Sequence, residues 1–215
     1  MVILLILFSL ILIIELVRFY LSINRVKKAK KELKKREQEQ HYLNFLTTSA
    51  VEGGGSVAEN FPRYLNYLKE AVNWNYHSIF RLDEATQLLP IRFTGYLPEW
   101  YMRELSTRVL VKVGDISIGR AIATKQPVTI NAAIIDPRFK DVTSLVAQMK
   151  YQSLTCCPMI GRLRTYGGFC TYSEYKNIFT LHDTQFLLTC SNLFAAILEN
   201  RLLQNYLKTV KHQIT

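Results

Sequence analysis

The 215-residue chain holds no cluster of metal-binding or catalytic side chains. Its four histidines, His41, His77, His182 and His212, are scattered, without zinc-ligand or triad spacing, and surface or capping roles are expected for them. The four cysteines, Cys156, Cys157, Cys170 and Cys190, lack the regular spacing of a disulfide framework and have no partnering histidine. They read as reduced thiols packed as small core hydrophobes. The adjacent pair cannot close a bridge with itself, because neighbours on a strand point to opposite faces. Acidic residues are also scarce, 17 against 27 Lys+Arg, for a net charge of +10. That balance invites a nucleic-acid reading, but residues 1–40 carry nine of the basic residues and only four of the acidic ones. Beyond position 40 the basic residues are dispersed among acids and form no recognition motif, which argues against a nucleic-acid partner.

The most prominent feature present is an apolar run at the start. From Val2 to Ile14 every residue except Ser9 is apolar, and after Glu15 the run resumes through Leu16, Val17, Phe19, Tyr20, Leu21 and Ile23. A helix over positions 2–23 is about 33 Å long, enough to cross a hydrocarbon core of roughly 30 Å. Glu15 and Arg18, spaced i, i+3, can pair on one helix face, and Arg18 can snorkel towards headgroups. A cleaved signal peptide would need a positive stretch before the apolar run and a small-residue cleavage site after it, and neither occurs. The run gives way instead to Arg25, Lys27, Lys28, Lys30, Lys31, Lys34, Lys35 and Arg36, which by the positive-inside rule places the C-terminal side in the cytoplasm. The expectation is a single-pass anchor in the cell membrane over 1–23, with the remainder cytoplasmic and the basic run against anionic headgroups.

Positions 24–50 contain neither Gly nor Pro, so the helix is expected to continue as a basic and polar linker over 24–52. Leu33, Gln40, Leu43 and Leu46 give a seam that fits either a parallel two-stranded coil or a solvated spacer. Gly53-Gly54-Gly55-Ser56 then marks a boundary, with a domain expected over 53–207 and a short tail over 208–215. Inside that domain Phe61, Leu65, Leu68 and Val72 form the apolar stripe of a packed helix. Strands are expected over Tyr76–Leu82 and Gln87–Thr94, joined as a hairpin at Asp83-Glu84-Ala85-Thr86. A short helix is expected over Pro98–Leu105, a loop and helix over Gly114–Lys125, and a strand over Pro127–Ile130. Ser153–Ile160 and Gly168–Tyr172 read as an antiparallel central pair, and a long helix starts at Thr180, capped with the help of Asp183. This order describes an α+β domain with helices covering a mostly antiparallel sheet.

Several segments carry a more specific likeness. Val113-Gly114, Gly119-Arg120-Ala121-Ile122-Ala123 and Pro127-Val128 resemble the GAF signature, in which two glycines bracket a loop before a short helix and a Pro-led strand. Asp136-Pro137-Arg138-Phe139 resembles the family's aspartate-proline loop, Tyr151-Gln152-Ser153-Leu154 with Pro158-Met159 its central strand, and Gly167-Gly168 the turn into the next. Phe179 and Asp183 open the last helix, and Ala195–Leu202 resembles its ending. The chain from Gly55 to Leu207 thus resembles a GAF domain, a PAS-related regulatory fold.

The resemblance implies a sensor that binds a small ligand between sheet and loops, dimerises through terminal helices and signals to a separate protein partner. The rival is a ligand-free scaffold for dimerisation or docking at the membrane. If a pocket exists, its walls are expected at Phe80 and Phe93 on the hairpin, Ile118 and Phe139 in the overlying loops, and Ser153 and Tyr172 on the central strands; ordinary core is the rival role for each apolar one and the preferred role for Phe80 and Phe93. The residues name no particular cofactor. Thr184 stands where the cyclic-nucleotide subset carries Glu, which argues against that ligand. Free methionine sulfoxide reductases of the family depend on cysteines between the glycine helix and the central strand. Positions 126–152 hold none, so no enzymatic activity is expected.

Overall fold

A single uninterrupted helix, α1 (Val2–Glu52), opens the computed structural model, which describes residues 2–52, 55–72, 74–107 and 111–214. Gly53 and Gly54, half of the expected boundary, lie outside these residues. The chain forms two compact units, Met1–Gln40 and His41–Thr215. In the first, the apolar side chains of Phe8, Leu10–Ile14, Leu16, Val17 and Phe19–Leu21 are all exposed, by 45–68%. Arg18 pairs with Glu15 at 2.9 Å, as their spacing suggests.

The second unit is built on five strands, β1 (Tyr76–Arg81), β2 (Ile91–Gly95), β3 (Val128–Ile130), β4 (Ser153–Ile160) and β5 (Thr165–Ser173). They pair antiparallel throughout in the order β2-β1-β5-β4-β3. Side chains alternate across the pleat and give the sheet two separate cores. Ile79, Cys157, Met159 and Phe169 face a helical layer made by α2 (Val57–Val72), α6 (Leu181–Ile214) and the end of α1. Phe80, Leu154, Cys156, Cys170 and Tyr172 face α3 (Glu99–Thr107), α4 (Ile118–Thr124), α5 (Thr143–Met149) and the loops between them.

Local chemistry accounts for the helix starts. Ser56 and Glu59 exchange side-chain to backbone hydrogen bonds at 3.2 Å in both directions, a capping box in front of α2. Thr180 and Asp183 do the same for α6: the Asp183 carboxylate accepts from Thr180 N–H at 2.8 Å, and Asp183 N–H donates to Thr180 Oγ1 at 3.2 Å. The stripe Phe61, Leu65, Leu68, Val72 is buried as its period requires. Segment Leu181–Lys211 of α6 is long and apolar enough to cross a membrane by length and composition, yet 44% of that window is buried in the body. Its Leu187, Cys190, Phe194 and Ala195 are fully enclosed, so it serves as a core helix.

Four expectations change. The end of α1 is neither a solvated spacer nor a coil seam, because Tyr42 and Leu46 are fully buried in the helical layer, and Tyr42 O–H donates to Tyr64 O at 2.9 Å. The strand expected from Gln87 starts at Ile91. Gln87 adopts a left-handed conformation, and residues 87–89 divide their backbone bonds: Leu88 O accepts from Asp83 N–H across the hairpin, while Gln87 and Leu89 bond Val113 and Val111. His77 is not a surface residue: it is wholly buried, with Nδ1 3.2 Å from Thr171 Oγ1. Finally, Cys156 and Cys170 are not separate thiols, because the register sets them opposite each other with Cα atoms 4.2 Å apart and the structure joins them as a disulfide.

Candidate functional site

The face of the sheet opposite α6 carries a small cavity. Its floor is Phe80, Leu154, Cys170 and Tyr172, and Ser117 and Ile118 close it from above at the start of α4. One side is α3, through Tyr101 and Leu105, and the other is the short 3-10 helix Pro137–Val142, through Phe139 and Val142. The free space amounts to about 30 Å³, room for a water molecule or two and nothing larger.

Two glycines allow the roof to come this close. A Cβ on Gly119 would collide with the carbonyl oxygen of Lys112, and one on Gly168 would collide with the Cδ1 methyl of Ile118. Gly119 therefore lets α4 start against the preceding loop, whose Gly114 N–H bonds Gly119 O at 2.8 Å. Gly168 lets Ile118 lie directly on β5. Phe139 is brought in by the aspartate-proline loop: Asp136 caps its 3-10 helix by accepting from Arg138 N–H at 3.0 Å. The Arg138 guanidinium folds back onto the same carboxylate and holds its pKa below the ordinary range.

The polar groups of the cavity are hydroxyls. Tyr101 and Tyr151 meet hydroxyl to hydroxyl at 3.1 Å, and Tyr172 meets Ser78 at 2.9 Å. Burial raises the pKa of all three tyrosines, so they remain neutral donors. Ser117 stands at the N-cap position of α4 without capping it, and its Oγ lies 3.3 Å from Cys156 Sγ. Among the described residues no group of His, Cys, Asp and Glu could hold a metal ion.

Of the six positions singled out in the sequence, Phe80, Ile118, Phe139 and Tyr172 come together around this cavity. Phe93 does not. It lies on the helical side, its ring 5.0 Å from that of Phe61, and lines a solvent-open groove with Val57, Ile79, Met159 and Leu198. Ser153 is also excluded, because it has the strand parity of Cys157 and Met159, and its hydroxyl donates to Tyr175 O. Tyr101, Tyr151, Leu154, Ser117 and Cys170 were not foreseen. The two-residue period running back from Tyr172 would have selected Cys170, and the register of β4 with β5 would then have selected Leu154 in place of Ser153. Tyr101 and Tyr151 carry no such signal, because they arrive from separate elements.

The GAF domain family model matches residues 57–198. No curated protein matches the chain. Among solved structures, the GAF domain of a phosphoenolpyruvate-protein phosphotransferase from Coxiella burnetii is 16% identical with a TM-score of 0.66, covering 79% of this chain and 98% of its own. A free methionine-R-sulfoxide reductase from Neisseria meningitidis, solved with its substrate, is 16% identical with a TM-score of 0.63, covering 81% and 93%. A domain of a two-component sensor histidine kinase protein from Sinorhizobium meliloti is 16% identical with a TM-score of 0.60, covering 72% and 99%. At these identities the likeness is one of fold, which regulatory and enzymatic relatives share. The antiparallel sheet, the glycine-bracketed roof and the family match together make this chain a member of the GAF domain family, whose domains bind ligands or relay signals in sensors.

Proposed function

We propose that the chain is a membrane-anchored, non-enzymatic GAF signalling module that acts as a scaffold for dimerisation or docking and communicates with a partner through its terminal helices. The observation that carries this reading is the cavity. Its roughly 30 Å³ is far below the roughly 300–1,000 Å³ of a small-molecule site, and the space is taken up by Phe80, Ile118, Phe139 and Leu154. Anchoring is supported by the exposed apolar side chains of Leu10–Ile14, Leu16, Val17 and Phe19–Leu21, interrupted by the Glu15–Arg18 pair, a surface that water penalises and lipid does not. The basic run after it supports a cytoplasmic body in a cell-membrane protein. Leu202, Leu203, Tyr206 and Leu207 leave an apolar stripe on the far part of α6, which supports a second copy as partner.

A ligand-binding sensor is the second reading, favoured by the hydroxyls of Tyr101, Tyr151 and Tyr172 in an otherwise apolar cavity. A thermal-shift screen of the full chain in detergent, against nucleotides and small metabolites, separates the two. Binding to the native state alone must raise the melting temperature. Under the scaffold reading no compound moves it, and a saturable shift that disappears in Phe139→Trp would transfer the assignment to the sensor. For orientation, a reporter fused after Thr215 is expected to be active in the cytoplasm, and activity confined to the outside would reverse the topology.

A further inference from the structure

We propose that Cys156 and Cys170 form a reversible thiol–disulfide site in the cavity wall, oxidised by hydrogen peroxide. The site rests on strand register and does not require the scaffold reading. The two residues are directly opposed on the central strands β4 and β5, 14 positions apart in sequence, with Cα atoms 4.2 Å apart and both side chains on the cavity face. That spacing is typical of a non-hydrogen-bonded antiparallel pair, where side chains approach most closely, so the bond can open and close with little backbone movement. Cys157 and Cys190 face the helical layer instead. Burial pushes the Cys157 thiol up to about 12, and the residue opposite it across the strands is Phe169, which leaves it no partner sulfur there.

The surroundings distinguish the pair from a merely structural cross-link. Cys170 lines the cavity, and Cys156 Sγ lies 3.3 Å from the Ser117 hydroxyl, which makes no cap bond to its own helix. That hydroxyl is placed to donate to a Cys156 thiolate, which designates Cys156 as the attacking sulfur. The cavity's roughly 30 Å³ admits hydrogen peroxide to the closed site, whereas a dithiol reaches the bridge when the roof of short elements opens. A bridge held in a reducing compartment is in general transient or redox-sensing, which fits a cytoplasmic body.

The chemistry balances in two steps. The Cys156 thiolate attacks one peroxide oxygen; the S–O bond forms, the O–O bond breaks, and hydroxide leaves with the thiol's proton as water. The Cys170 sulfur then attacks the sulfenic acid; the S–S bond forms, the S–O bond breaks, and the hydroxyl leaves with the second thiol proton as another water. Two thiols and one peroxide give one disulfide and two waters, the sulfurs supplying two electrons. A dithiol reductant returns them by exchange. Reduction replaces a bond by a wider sulfur–sulfur contact directly beneath Ser117, so the redox state of the pair acts on the roof of the cavity.

The test uses the full chain in detergent, reduced, freed of reductant and exposed to hydrogen peroxide, followed by thiol titration in denaturant. The thiol count is expected to fall from the four of the sequence by one pair. Peptide mapping should join Cys156 to Cys170, and dithiothreitol should restore the full count on the folded protein. A count unchanged by peroxide overturns the proposal. So does a bridge that dithiothreitol opens only after unfolding, because that is a permanent cross-link. Cys170→Ser should leave a sulfenic acid on Cys156 that dimedone labels, and labelling of Cys157 or Cys190 instead counts against it. Should that variant fail to fold, the titration of the unmodified chain decides alone. The metabolite screen is blind to this site, so either reading can fall without the other.

Discussion

The two faces of one sheet have been packed to different ends. On the helical side Phe61, Phe169 and Phe194 interlock at centroid distances of 5.2–5.5 Å, and large side chains there are enclosed completely. On the loop side the same strands meet three tyrosines, a disulfide and a small void under a roof built from short elements. A jigsaw core specifies one arrangement, whereas a face closed by loops leaves room for a second. On that contrast the loop side is expected to be the softer face and the helical side the more rigid one.

The largest effect should come from weakening the holding side. Phe194→Ala removes a fully buried ring from the centre of the aromatic cluster and is expected to cost roughly 3–5 kcal/mol by chemical denaturation. Phe139→Ala, on a short 3-10 helix beside existing free space, should cost clearly less, because its neighbours can relax into the gap. Equal losses would mean that the loop side is as rigid as the helical side.

A pH titration offers the next test, because the helical side hides a histidine, His77. Burial, aided by the charge of Lys69, lowers the His77 pKa from 6.5 to about 3. Between those values the unfolded chain holds a proton that the folded chain does not, so stability is intact above pH 6.5 and declines as pH falls towards 3. The loss should reach roughly 3 kcal/mol near pH 4. His77→Gln should flatten this part of the profile, and a profile unchanged by the substitution would remove His77 as its source.

Much of the fold was legible because it is written in periodic patterns. The stripe of α2, the bounds of β4 and the start of α6 at its capping residues all come from side chains repeating at the period of their element. Where patterns are short the reading failed. Helix α5 spans only Thr143–Met149 and was not foreseen, and Gln87–Pro90 have strand composition but divide their backbone bonds between Arg81 and Asp83 of the hairpin and Val111 and Val113. Of the expected pocket walls, Phe80, Ile118, Phe139 and Tyr172 line the loop-side cavity, while Phe93 and Ser153 lie on the other face, a separation that strand parity carries. The cysteine bridge shows the limit most clearly: residues 14 apart have no sequence signal of being opposite until the turn between the strands and their register are known.

The smallest predicted effect compares one hydroxyl on each face. Tyr42→Phe removes a buried hydrogen bond to Tyr64 O, and Tyr101→Phe removes one to the Tyr151 hydroxyl. On the helical side nothing can take the place of the lost group, and a typical cost of about 1 kcal/mol is expected. On the loop side the vacated position borders a cavity with room for a water, which can bond the Tyr151 hydroxyl in its stead, so the expected cost is roughly half as much. Urea denaturation of the two variants compares them directly. If Tyr101→Phe costs more than Tyr42→Phe, then no water enters, and the cavity is too dry and too well sealed to admit a polar oxidant of similar size.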